Sequence, residues 1–166
     1  MADTQNTTQS ADTRTATTAT SITMSISRDA VDYDGKKAPT IGKTTVVEQF
    51  DYECLRSRNA MGATYGPTVK AVLHCTVKSE TEGVCTRYYQ HMSANSEKTY
   101  AFIFSNGKET VRTMYVSGYI VDIAEAFDTA NTKQMLATLT LLVTRIAYCK
   151  PGEEDKPCNL DVVTLQ

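Results

Sequence analysis

Apolar and polar residues alternate along most of this chain, and a period of two marks a half-buried strand. The stretch "SITMSI" (21–26) alternates and is rich in strand formers. In "TTVVEQFDYECLR" (44–56), Val46, Phe50, Tyr52 and Cys54 fall on one face, and Gln49, Asp51 and Glu53 on the other. In "TVKAVLHCTVK" (68–78), Val69, Ala71, Leu73, Cys75 and Val77 oppose Lys70, His74, Thr76 and Lys78. "KTYAFIFS" (98–105) is a further strand, and "TVRTMYVSGYIVDIAEAF" (110–127) reads as one long strand or as two broken near Gly118. "MLATLTLLVTRIAYC" (135–149) carries the strongest signal. Leu139, Leu141, Val143 and Ala147 form one row; Thr138, Thr140, Leu142, Thr144, Ile146 and Tyr148 form the other. "LDVVTL" (160–165) reads as a last strand.

One segment departs from this period. In "TEGVCTRYYQHMSAN" (81–95), Cys85, Tyr88, Tyr89 and Met92 recur at helix spacing, and Asn95 is placed to end the helix in the left-handed region. Turns fall at 28–43 (Asp34-Gly35, Pro39, Gly42), at the Asn106-Gly107 pair, at 128–134 and at 150–157. Six or seven strands with hairpin connections and one helix predict a mainly β, antiparallel sandwich or small barrel.

The strands of 44–56 and 68–78 should form a hairpin with a long polar tip, "RSRNAMGATYGPTVK" (56–70). Two arginines and two glycines invite comparison with a phosphate cradle. A phosphate loop needs four residues between its glycines and a helix beginning at the following lysine. Here Gly62 and Gly66 have three residues between them and Pro67 leads into a strand, so the segment reads as a contact loop.

Composition narrows the function classes. The chain has 166 residues, 41% hydrophobic, enough for one core. Lys plus Arg number 17 and Asp plus Glu 19, so no basic field exists to hold nucleic acid. No apolar run approaches a bilayer span. Residues 1–20 are rich in Thr, Ala, Gln and Asp, lack the pattern of a signal peptide, and are expected to be a disordered arm. A cytoplasmic start follows from that reading.

Cys54, Cys75, Cys85, Cys149 and Cys158 are widely spaced, without a C-x-x-C metal or redox pattern. Cys149 and Cys158 flank a turn that could bring them together. His74 and Cys75 are neighbours on opposite strand faces, so they do not form a nucleophile and base pair. His91 is not at an i, i+4 spacing from Cys85, and the carboxylates Glu80, Glu82, Glu153 and Glu154 sit in turns, where solvation is the default. No catalytic, metal or cofactor site is predicted. Apolar residues on both faces of 135–149 favour a chain that covers itself with other copies.

The order of elements, above all "YVSGYIVDIAEAFDTANTKQMLATLTLLVTRIAYC", resembles the Hcp tube proteins of type VI secretion systems, in the version carried by Bacteroidetes. Tyr119, Val121, Ile123, Glu125, Phe127 and Asp128 fit its aromatic strand, followed by Met135 and the run to Arg145-Ile146. The resemblance covers roughly 21–149. It implies a compact β-barrel of two packed sheets with one helix, assembled into six-membered rings. Those rings stack into a tube inside a contractile sheath, behind a spike protein. It further implies expulsion from the cell, effectors carried in the lumen, and no catalytic residues. The tip then becomes the expected ring-stacking loop, with Arg56, Arg58, Asn59, Met61 and Tyr65 as contacts and Gly62 and Gly66 shaping the backbone. Residues 150–166 extend past the resemblance. The alternatives are a monomeric barrel that carries a small ligand and an enzyme using Cys75 or Cys85.

Overall fold

A computed structural model describes residues 18–25, 43–79, 84–127, 135–153 and 158–161. The predicted turns at 28–42 and 128–134, the arm before 18 and the segment after 161 lie outside these residues. Seven strands are described: β1 (Ser21–Ser25), β2 (Thr44–Arg58), β3 (Thr64–Lys78), β4 (Lys98–Asn106), β5 (Glu109–Phe127), β6 (Met135–Cys149) and β7 (Cys158–Asp161). One helix, α1 (Val84–Ser93), separates β3 from β4.

The strands form one sheet in the order β3-β2-β1-β4-β5-β6-β7, and β3 also pairs with β6. That pairing closes six strands into a barrel, and every described ladder is antiparallel. The fold class is therefore the mainly β barrel with one short helix expected above, its walls belonging to a single sheet. Closure leaves side chains from all round the barrel pointing at one centre, where Met24, Leu73, Val77, Phe102, Met114, Leu139, Leu141 and Ile146 are fully buried. The barrel is filled rather than hollow.

The alternation within β3 holds as read: Ala71, Leu73, Cys75 and Val77 are buried, while Lys70 and His74 are exposed. The alternation within β2 does not hold throughout. Thr45 and Val47 point inward and Val46 outward, whereas Phe50 and Cys54 pack on the core. The cause is a register shift between Val47 and Gln49, where one extra residue reverses the phase of the strand. A second bulge reverses β6. Thr144 is unpaired between the Gly118–Val143 and Ser117–Arg145 rungs, so Ile146 joins the main core. Ala147 instead joins Ala101, Tyr115 and Cys149 in a small second cluster on the other face.

Gly118 does not break β5, which runs unbroken for 19 residues. At this bulge the backbone of β6 comes so close that a Cβ on Gly118 would lie 2.2 Å from the Leu142 carbonyl oxygen. Glycine serves close approach here, not interruption.

The β4–β5 hairpin turns through Gly107 and Lys108, with Gly107 at φ 59° in the first loop position, as a type II′ turn requires. In α1, Tyr88 is buried in the main core, and Asn95 ends the segment at φ 46°. The helix lies at the end of the barrel where β1 stops and β4 starts. Tyr88 Oη reaches the Ser25 carbonyl at 3.5 Å, and His91 Nδ1 hydrogen-bonds the Tyr100 hydroxyl at 2.9 Å. That end also holds Phe127 and Met135 and is called lower; the turn of β2 and β3 lies at the upper end.

Candidate functional site

β2 and β3 pair from Val47–Val77 to Arg58–Thr64, but β3 pairs with β6 only from Lys78 up to Val72. Above that level β2 and β3 form a two-stranded ribbon that has left the barrel wall. The ribbon continues for five residues of β2 beyond Glu53, the partner of Val72, or roughly 17 Å. The edge of β6 that β3 gives up is taken by β7, which pairs from Tyr148–Cys158 to Arg145–Asp161. The last strand thus starts at Cys158, earlier than the sequence pattern suggested. The register sets Cys158 opposite Tyr148, one step out from Cys149, and Cys149 is a buried thiol rather than half of a disulfide.

The polar tip is mostly strand. Only Asn59–Ala63 is turn; Arg56 and Arg58 belong to β2, and Tyr65 and Gly66 to β3. Asn59 builds the turn from within. Its Oδ1 accepts from Met61 N at 3.0 Å and Ala63 N at 2.9 Å, and its main chain exchanges bonds with Ala63 and Gly62. This is an Asx-type arrangement that the Asn-Ala-Met-Gly order could have announced.

Arg56 is also turned inward. Its Nε and Nη2 donate to the Gly66 carbonyl at 3.1 and 2.6 Å. Gly66 sits in a bulge where three residues of β3 face Ser57 alone, and its φ of 70° swings the carbonyl toward the guanidinium. Gly62 has φ 81°. Both glycines have open space where a Cβ would go, so they are needed for their dihedral angles and not for a tight passage. Arg58 is exposed, and Met61, at 92% exposure, is the most prominent apolar side chain described. Tyr65 is placed by its backbone in β3, and its side chain lies outside what is described.

The lower end presents a different surface, which sequence reading did not single out as a site. Phe127 and Met135 are direct cross-strand partners, 58% and 40% exposed. Ser79 secures this corner: its N–H donates to the Met135 carbonyl at 2.9 Å, and its hydroxyl meets Glu125 Oε1 at 3.4 Å.

Between the ends, β2, β3, β6 and β5 form a wall whose outer side carries a polar band below the more apolar row Glu53–Val72–Leu142–Tyr119. One row crosses it, Asp51–His74–Thr140–Asp122, with His74 Nδ1 and Thr140 Oγ1 at 3.2 Å. Thr76 and Thr138 hydroxyls bond at 3.1 Å in the next row. Both margins of this wall are open strand edges among the described residues. β1 covers β2 only at Thr44–Val47, and β4 covers β5 only up to Gly118.

Inside the barrel's upper mouth, Tyr52 and Tyr148 hydroxyls share a 2.5 Å hydrogen bond, and the Arg112 guanidinium lies 4.3 Å from the Phe104 ring centre. Burial, then the bond to Tyr52, pushes the Tyr148 hydroxyl well above the usual phenol range. Cys75 is enclosed in the core, and burial, assisted by Asp51, pushes its thiol up to about 12. Burial thus disfavours the thiolate that a nucleophile needs. Among the described residues no three His, Cys, Asp or Glu side chains gather as a metal site, and no helix is long and apolar enough to cross a membrane.

No family model matches the chain, and no curated protein matches it. Solved structures do. Hcp1 from Flavobacterium johnsoniae superposes with a TM-score of 0.61 at 16% identity, covering 85% of this chain and 98% of that one. An Hcp1 mutant from the E. coli EAEC 042 pathovar gives 0.58 at 8% identity, covering 87% and 99%. A structure described as a type VI secretion system effector from Yersinia pestis gives 0.55 at 9% identity, covering 85% and 99%. At these identities the likeness is one of fold. The chain has the Hcp fold over nearly the whole length of those proteins, and the resemblance read from the strand pattern is met at that level.

Proposed function

We propose that this chain is a structural subunit of the inner tube of a contractile, type VI-like secretion apparatus. In this reading its copies close into six-membered rings, the rings stack, and the tube is expelled past its sheath behind a spike. The observation that carries the reading is the four-stranded wall with an open edge on each side. The row from Asp51 to Asp122 puts both edges at one height. β2 runs up and β5 runs down, so copies related by rotation about an upright axis present the β5 edge of one to the β2 edge of the next in antiparallel sense. Such a head-to-tail contact closes into a ring. With β1, β4 and α1 on one side of the wall, the bulk of each copy takes the larger radius and the outer side of the wall, with its band from Asp51 to Asp122, faces the lumen. Effectors would travel there.

The number six, the sheath and the spike come from the resemblance and the shared fold. Light scattering with negative-stain microscopy tests the reading: annular particles support it, and a monomer at tens of micromolar sinks it. The alternative of a monomeric ligand carrier needs an internal cavity, and the fully buried Leu73, Phe102, Met114, Leu139 and Leu141 occupy that space.

A further inference from the structure

Each end of the subunit exposes one apolar feature beside one charge of opposite sign. At the upper end a turn whose polar groups bond to one another presents Met61 next to Arg58. At the lower end Phe127 and Met135 lie side by side, with Glu125 two residues along β5 and held by Ser79. Both corners are fixed before any contact forms, so little ordering entropy would oppose their meeting.

We propose that the Phe127–Met135 corner is the socket for the Asn59–Ala63 turn of a second copy in the next ring. Met61 lies against the Phe127 ring and Met135, a sulfur–aromatic contact, and Arg58 pairs with Glu125. The two corners sit at opposite ends of one copy, so neither can satisfy the other within a chain. Repetition of the contact is directional and builds a stack in which every ring faces the same way. This inference rests on the ring reading above and adds the receptor for the ribbon, which that reading leaves unassigned.

The test uses the full chain with Met61→Cys and Phe127→Cys, singly and together. Mild oxidation of the double variant should give a reducible ladder of dimers, trimers and longer species, and each single variant should give no cross-linking beyond that of the parent chain with its five native cysteines. A reducible dimer from Met61→Cys alone would mean tip-to-tip contact and would overturn the proposal, as would stacked rings without a ladder. Particles that never pass beyond the monomer would remove the ring reading and this contact with it, whereas unstacked rings with no ladder remove only the contact. Charge reversal is the second measurement. Arg58→Glu and Glu125→Arg should each weaken ring stacking about tenfold, and the pair together should recover most of the loss. Equal stacking in all four proteins would also overturn it.

Discussion

The two long hairpins of this barrel spend their irregularities differently. β6 is paired with β5 along its whole length, and the bulges of this ladder bring backbone against backbone, most tightly at Gly118 and Leu142. β2–β3 is bound into the wall only in its lower half. Above that, its bulges and positive-φ glycines shape an exposed ribbon held by Arg56 and Asn59. Stability in the first comes from exclusion of space, and in the second from hydrogen bonds that water can partly replace. A fold can thus keep one hairpin as frame and free half of another for contact.

The largest expected effect tests the frame. Gly118→Ala forces a methyl against the Leu142 carbonyl and should cost about 4 kcal/mol or more, a range single substitutions reach only through such mechanisms. Urea unfolding would show it, and a loss under about 1 kcal/mol would mean the two strands part easily there. Next comes a contrast inside β2–β3. Leu73→Ala, in the core, should cost about 2–5 kcal/mol, whereas Leu55→Ala, on the ribbon, should stay within about 0.5 kcal/mol. Equal losses would erase the distinction between its halves.

Asn59→Ala removes the acceptor for two amides and should cost about 1 kcal/mol. That loss should appear in faster hydrogen exchange at Met61 and Ala63 and in a fall in Tm of about 2–4 °C. The smallest effect lies at the helix. Burial, then Lys98 and Arg87, lower the His91 pKa in the folded chain. The unfolded chain therefore binds the proton more readily. The contribution of His91 is complete above its unfolded pKa of about 6.5 and is lost as pH falls from there through the lower folded value. Tm measured between pH 7.5 and 5 should fall less for His91→Gln than for the parent protein, and parallel curves would refute the assignment.

Much of the frame was legible in alternation alone, as β3 shows from Ala71 to Val77. What escaped were the places where the period slips. Alternation alone sets Val46 inward beside Phe50 and Ala147 in the row of Val143, and the structure does not, because a bulge leaves no mark in composition. Barrel closure through β3 and β6 was equally hidden, since it joins residues far apart in sequence. At the tip, residue types mark a polar, glycine-containing segment but not its internal bonding. Arg56 and Asn59 read as contacts, and their polar atoms are largely engaged within the ribbon. Alternation does not mark Phe127 and Met135 as a pair, because only strand register makes them neighbours.

The shared edge of β6 has one more consequence. β3 and β7 lie end to end along it, β3 up to Leu142 and β7 from Arg145. A given length of strand edge accepts one ladder at a time, so the closing residues of the described chain act as a zipper stop. With β7 seated, β3 can climb no further than Thr144, and Cys158–Asp161 limit how much of the ribbon the wall could take back.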